Sequence, residues 1–170
     1  STDYVFDGQK FTPYTESDSI NPLNYYGLTK SYGEKKIINS KLKNSIIIRT
    51  SLLYFDNGDT SFINKIIKKV NMGENFCVVN DQYSSPTYAK DLAHTILEII
   101  PLISNNSVEI YHYANSGDCS RYDLAVKINE LLVGNSNIKA TNTKNNMIKR
   151  PLYSVLQSTK IIDKFNLKIR

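Results

Sequence analysis

The chain has 170 residues, 21 basic and 16 acidic, giving a net charge of +5, with two histidines, two cysteines and no tryptophan. A hydrophobic content of 41% allows one packed core of ordinary size and excludes a disordered or collagenous chain. No run approaches the ~18 to 20 apolar residues of a membrane span, no signal peptide opens the chain, and Cys77 and Cys119 are too few for a disulfide framework or zinc site, which together predict a cytoplasmic protein with no membrane partner.

The excess of lysine does not mark a nucleic-acid face. Lys35, Lys36, Lys41 and Lys43 cluster at the end of one predicted helix and Lys65, Lys68 and Lys69 in another, where cations complement the helix dipole. Only four residues are arginine, and no basic stripe is interleaved with stacking aromatics.

In chain order, Ser1 to Phe6 reads as the end of a strand, closed by the turn pair Asp7-Gly8. A polar loop leads through Asn21-Pro22 to a helix from Tyr25 to about Leu42. Ile46 to Ser51 is a continuous apolar run suited to a strand buried on both faces. Asp59 or Thr60 is the predicted cap of a helix that runs to Val70 and stops at Gly73. Phe76 to Val79 reads as a strand containing a buried Cys77. Thr87 precedes a helix with an apolar stripe of Ala89, Leu92, Ala93, Ile96, Leu97 and Ile100. Val108 to Tyr113 is a strand, and Ser120 caps a helix burying Tyr122, Leu124, Ala125, Ile128, Leu131 and Leu132. Ile138 to Thr141 is a short strand, and Ser158 begins a helix with a core face of Ile161, Ile162 and Phe165. This alternation predicts an α/β class.

One spacing carries chemistry. Tyr26 and Lys30 stand four apart on a predicted helix, hence on one face and one turn from each other. A free phenol titrates near ~10, and a neighbouring cation favours the phenolate, which makes a phenol a better acid and base at neutral pH. The same ammonium can hold a ribose hydroxyl and so place a nicotinamide beside the phenol. Thr2 lies where the C-terminal edge of a parallel sheet falls, the edge at which doubly wound folds bind ligands, and its hydroxyl either serves a carbonyl oxygen that gains charge on reduction or only caps a turn. Of the remaining candidates, His94 falls on a solvated helix face, His112 on a packed strand, and Cys119 just before a helix, where a thiol pKa can be lowered. Asp81-Gln82 either supports a sugar site or forms a turn.

The blocks Ser1 to Gly8, Pro13-Tyr14-Thr15-Glu16 and Pro22-Leu23-Asn24-Tyr25-Tyr26-Gly27-Leu28-Thr29-Lys30, ending at Gly33-Glu34, resemble the dTDP-4-dehydrorhamnose reductase family of extended short-chain dehydrogenases/reductases. Arg49-Thr50-Ser51, Asn80-Asp81-Gln82, Ser85-Pro86-Thr87, Tyr111 to Asn115, Arg150-Pro151 and Ser154-Val155-Leu156 extend the resemblance over almost the whole chain. It implies the C-terminal part of a Rossmann-type parallel sheet, residues 1–51 with the catalytic helix, joined to a smaller mixed α/β substrate-binding domain, residues 52–170, with returns to the first sheet. It further implies NADPH- or NADH-dependent reduction of the 4-keto group of dTDP-4-dehydro-L-rhamnose to dTDP-L-rhamnose, in deoxysugar biosynthesis for surface polysaccharide. By the resemblance, Tyr26 is the proton donor, Lys30 holds the nicotinamide ribose and tunes Tyr26, and Thr2 and Asp3 lie at the sugar. Arg150, just before Pro151 in a family-like block, either pairs with the substrate diphosphate or forms a surface salt bridge. Leu52 stands where the family usually has a tryptophan against the sugar, so a stacking surface is replaced by a smaller apolar one. The alternatives are a regulatory homologue or inactive fragment that binds a partner protein, and another nucleotide-sugar epimerase or dehydratase. The resemblance leaves room for Mg2+ and for a homodimer, and no residue pattern marks either.

None of the seven glycines forms the glycine-rich turn that receives a dinucleotide pyrophosphate. The reading is therefore a fragment without its dinucleotide-binding part. The 170 residues alone are predicted to bind no dinucleotide tightly. Isothermal titration with NADPH checks this, and micromolar binding by the isolated chain would refute it.

Overall fold

The computed structural model describes residues 1–55, 61–144 and 148–170. In chain order it runs α1 (Tyr25–Asn39), β1 (Ile46–Arg49), β2 (Leu53–Tyr54), α2 (Phe62–Asn71), β3 (Phe76–Val79), β4 (Tyr83–Ser84), β5 (Thr87–Tyr88), α3 (Ala89–Ile99), β6 (Glu109–His112), β7 (Cys119–Ser120), α4 (Arg121–Leu131), β8 (Ile138–Thr141) and α5 (Thr159–Phe165). Short 3-10 turns occupy Asp3–Val5 and Ile100–Leu102. Helices and mostly parallel strand pairs make this the α/β fold that the alternation predicts.

Three consecutive isoleucines favour extended backbone at β1. It pairs in parallel with β6, Ile46 opposite Glu109 through Arg49 opposite His112. The Ser45 and Arg49 carbonyls accept from Glu109 and Tyr113 on that side. Carbonyls alternate along a strand, so Ile48 and Thr50 point the other way. They accept from the backbone nitrogens of Ser1 (2.6 Å) and Asp3 (3.0 Å), and Thr2 bridges Thr50 in parallel. Chain therefore lines both edges of β1 at its C-terminal end. Elsewhere β2 pairs with β5 and β3 with β8 in parallel, and β4 with β7 antiparallel.

Among the described residues, three apolar clusters fill the interior. Ile99, Tyr111, Tyr113, Ile161 and Leu167 lie between β6, α3 and α5. Val5, Phe6, Tyr14, Ala114 and Leu156 lock the N-terminal turn to the C-terminal segment. Ile63, Ile66, Val70, Val78, Ala125 and Ile128 join α2 and α4 over β3.

Several sequence expectations change in place. Tyr4 to Phe6 is a 3-10 turn and its boundary rather than strand, because Thr2 caps it by accepting from the Tyr4 nitrogen. Helix α1 ends at Asn39, and Lys41 takes a left-handed conformation (φ 53°) that stops it short of Leu42. The expected caps Asp59 and Thr60 lie outside the described residues, and Ser61 caps α2 by accepting from Asn64. In α3 the buried face is Leu92, Thr95 and Ile99, while Ala93, Leu97 and Ile100 are exposed. The apolar stripe is broader than the sector that docks on β6. Leu131 and Leu132 are likewise exposed, because α4 buries its middle turns and its end runs past the core. Cys77 is exposed rather than buried: strand alternation turns Val78 to the core and Cys77 away. His94 is exposed, as its polar helix face predicts.

His112 is fully buried, with Nδ1 against the Tyr14 carbonyl at 3.0 Å and Nε2 3.3 Å from an Arg49 nitrogen. Burial, and then the Arg49 charge, lower its pKa from 6.5 to about 4. The unfolded chain thus takes up this proton at a higher pH than the folded one. The resulting stability is complete above pH 6.5 and drains as pH falls toward 4. About 2 kcal/mol is lost by pH 5. Urea denaturation across this range should show that slope in the wild type and a flatter one in His112→Gln; equal slopes would contradict the assignment.

Candidate functional site

Asn24 starts α1 by accepting from the Gly27 nitrogen at 2.9 Å, while its amide donates to the Lys149 carbonyl at 2.8 Å. The helix then carries Tyr26, Lys30 and Glu34 at four-residue steps along one side. The Lys30 ammonium lies 5.6 Å from the Tyr26 ring centroid, so the two side chains do stand together. Tyr26 is 52% exposed and presents its phenol to open space. Its ring meets Tyr4 edge to face at 6.0 Å. Lys30 has no carboxylate within 4.0 Å among the described residues, which leaves its donors for a ligand.

Two features set the position of this helix. Gly27 packs on the 3-10 turn so closely that a β-carbon there would lie 2.1 Å from the Tyr4 carbonyl oxygen. Glu34, one turn past Lys30, accepts two hydrogen bonds from Arg49, at 2.9 and 2.7 Å, in a pair whose side chains are each 3% exposed. Arg49 sits at the end of β1 over the face of Phe6. These contacts hold Glu34 ionised and below the usual carboxylate range, against the opposing effect of burial.

Thr2 sits at the C-terminal end of the parallel pairing, as the sequence suggests. It is buried, and its hydroxyl donates to Asp3 Oδ1 at 3.0 Å. Asp3, which the resemblance sets beside the sugar, has an enclosed carboxylate. It is 3% exposed and its other oxygen accepts from Ser51 (2.7 Å) and Ser154 (2.6 Å). Burial raises its pKa, and the three hydroxyls oppose that rise. Leu52 follows Ser51 with a left-handed backbone (φ 39°), and its carbonyl accepts from Thr87. Arg150 is exposed and directly follows Lys149, beside the start of α1.

The other sequence candidates fall elsewhere. Asp81 and Gln82 both bind Thr143, 62 and 61 positions further on, and so tie the chain after β3 to the chain after β8. Cys119 has its pKa raised, by burial first and then by Asp123 and Asp118, which overrides the lowering expected at a helix start. Among the described residues, no cluster of three or more His, Cys, Asp or Glu side chains could hold a metal ion, and no helix is long and apolar enough to cross a membrane. Sequence reasoning missed the Glu34–Arg49 pair and the Ser51 and Ser154 donors. A lone arginine ending an all-isoleucine strand was the available sign of the first.

A tyrosine and a lysine thus stand one turn apart on a helix packed at the C-terminal end of a parallel strand pair. The chain belongs to the RmlD substrate binding domain family, whose profile matches residues 1–170. It is 39% identical over 158 residues to the spore coat polysaccharide biosynthesis protein SpsK of Bacillus subtilis (strain 168), covering 92% of this chain and 54% of that protein. It is 34% identical over 179 residues to the dTDP-4-dehydrorhamnose reductase of Aggregatibacter actinomycetemcomitans, covering 99% of this chain and 60% of that one. A crystal structure of dTDP-4-dehydrorhamnose reductase from Bacillus anthracis str. Ames in complex with NADP superposes with a TM-score of 0.87 at 32% identity, covering 99% of this chain and 59% of that one. The chain thus spans between half and two thirds of the length of these relatives.

The close approach at Gly27 generates a prediction. Gly27→Ala should cost about 1 to 3 kcal/mol and displace the Tyr26 turn, since backbone cannot yield as a flexible side chain can. Gly33→Ala, with nothing within 4 Å of an added β-carbon, should be neutral or stabilising by up to about 1 kcal/mol. Chemical denaturation of both variants checks the contrast, and equal effects would show that α1 is not pinned at Tyr4.

Proposed function

We propose that this chain forms the catalytic-helix and sugar-binding part of an NADPH- or NADH-dependent reductase of dTDP-4-keto sugars, with dTDP-4-dehydro-L-rhamnose as substrate and dTDP-L-rhamnose as product. The observation that carries the reading is the exposed Tyr26 phenol with the Lys30 ammonium 5.6 Å from its ring. Membership of the family and likeness to an NADP-bound reductase support it.

In this mechanism the nicotinamide, when bound, supplies the hydride to the sugar's 4-keto carbon. Tyr26 donates a proton to the oxygen that gains charge. Lys30 offsets the charge left on the phenol oxygen and holds the nicotinamide ribose. Thr2 spends its hydroxyl proton on Asp3 and accepts from the Tyr4 nitrogen, so it meets the sugar with its remaining lone pair, accepting from a sugar hydroxyl. Asp3 acts on the sugar through Thr2, and Leu52 offers an apolar wall. Arg150 meets the substrate diphosphate.

The residues present fit the nicotinamide end of the cofactor and not its pyrophosphate, for which they offer no glycine-rich turn. A dinucleotide-binding segment supplies that part, its last strand running into Ser1 in parallel with Ile46 to Ile48 and making residues 1–51 one domain with it. Residues 52–170 form the substrate domain. The register supports this: the Ser1 and Asp3 nitrogens already follow alternate carbonyls of β1.

In the protein expressed from its complete coding sequence, Tyr26→Phe should lower kcat about 100- to 10,000-fold and leave the melting temperature unchanged, because only a solvent-facing hydroxyl is removed. NADPH consumption with the 4-keto sugar is the assay. Full turnover by the variant would move the assignment to a regulatory, partner-binding homologue.

A further inference from the structure

A threonine hydroxyl has one proton to donate and two lone pairs that accept. In Thr2 the proton goes to Asp3 Oδ1 at 3.0 Å, and one lone pair accepts from the Tyr4 nitrogen at 3.3 Å. The valence left for a ligand is then an acceptor, provided that Asp3 is ionised. With Asp3 protonated, the bond between the two side chains runs the other way. Asp3 donates to Thr2, both lone pairs are filled, and the open valence of Thr2 becomes a donor. The character of Thr2 towards a sugar therefore follows a single proton on Asp3.

The hydrogen bonds around Asp3 fix where that proton would sit. Oδ2 accepts from Ser51 at 2.7 Å and from Ser154 at 2.6 Å, whereas Oδ1 meets Thr2 alone among the described residues. Ser154 has a second acceptor in the Tyr83 carbonyl, but this is 3.4 Å away and already accepts from the Ser154 nitrogen at 2.9 Å. A proton on Oδ2 would displace one of the two serine hydroxyls, so its seat is Oδ1, aimed at Thr2. The same two hydroxyls stabilise the ionised carboxylate, which has no basic side chain within 4.0 Å among the described residues. Burial raises the Asp3 pKa, and the hydroxyls of Ser154, Ser51 and Thr2, then the Arg121 charge from farther away, oppose that rise.

We propose that Ser51 and Ser154 are positioning residues for the sugar: by filling Asp3 Oδ2 they keep the carboxylate ionised and Thr2 turned as an acceptor for a sugar hydroxyl. The ligand is the nucleoside diphosphate sugar of the reductase reading, on which the inference rests. Both serines are buried, so they act on it only through Asp3 and Thr2. One consequence concerns the chemistry directly. An acceptor makes no hydrogen bond to a keto oxygen, so proton delivery falls to Tyr26 while Thr2 orients the ring through one of its hydroxyls. The serine in the C-terminal segment, 151 positions from Asp3, thus sets the polarity of a contact at the other end of the chain.

The test is calorimetric titration of dTDP-L-rhamnose, with dTDP as the sugar-free control, into the protein expressed from its complete coding sequence. Ser154→Ala should bind dTDP-L-rhamnose within about twofold of wild type at about pH 8 and about 10-fold more weakly at about pH 6. With one donor lost, the carboxylate takes up its proton at higher pH and reverses Thr2. Ser51→Ala should behave alike, so each variant reports if the other fails to fold. The wild type should keep its affinity over the same range. Asp3→Asn should bind weakly at both pH values, because its carbonyl faces the two serines and its amide donates to Thr2 throughout. Affinity for dTDP should stay within about twofold of wild type in every variant. Wild-type affinity for dTDP-L-rhamnose at both pH values in the serine variants or in Asp3→Asn overturns the proposal. So does a wild type that weakens as steeply as the variants, or an equal loss of dTDP, the mark of a merely structural role. The reductase reading is judged apart from this, since full turnover by Tyr26→Phe sinks it whatever the binding profiles show.

Discussion

The buried pair of Glu34 and Arg49 is the constraint on which the site geometry depends. It joins the helix that carries Tyr26 and Lys30 to the last residue of β1, the strand flanked by β6 on one edge and by the N-terminal residues on the other. Two charges withdrawn from water gain little net stability from each other, yet removing either partner strands the other at a cost of about 3 to 5 kcal/mol. Such a pair has one good geometry. Its two parallel hydrogen bonds fix both the rotation and the axial position of α1 in a way that apolar contacts, which tolerate sliding, do not. His112 and the Phe6 ring close over the guanidinium and keep it dry.

A second buried carboxylate does similar work at the other end of the site. Asp3 gathers hydroxyls from Thr2, from Ser51 at the end of the β1 segment and from Ser154 near the C-terminus. Three segments remote in sequence therefore share one polar point. The left-handed backbone at Leu52 begins one residue after this anchor. Both carboxylates serve as fasteners between secondary-structure elements, and the exposed chemistry is left to the phenol and the ammonium.

Much of this was readable from the residues, and what was not has a common cause. The isoleucine run, the capping Ser120 and the four-residue step from Tyr26 to Lys30 are local patterns, and the structure holds them as read. The Asp3–Ser154 contact spans 151 positions and the Arg49–Glu34 contact 15, and no local period announces either. Faces were misread where hydrophobicity exceeded docking. Helix α3 is apolar around more than the sector that β6 covers, so Thr95 is buried while Leu97 is not. Cys77 reads as interior because its neighbours are apolar, but β3 is covered on one face only.

The alternation of carbonyls along β1 bears on how the chain avoids misfolding. A run of three isoleucines carries almost no information about pairing phase, since shifting it by one residue puts another isoleucine in each place. Arg49 removes that ambiguity. A slipped strand would swing the guanidinium to the opposite side of the layer, far from Glu34 and into apolar surroundings with no counter-ion. The penalty makes the off-by-one arrangement uncompetitive, so a single arginine acts as a proofreading mark for a segment that could otherwise anneal in several ways.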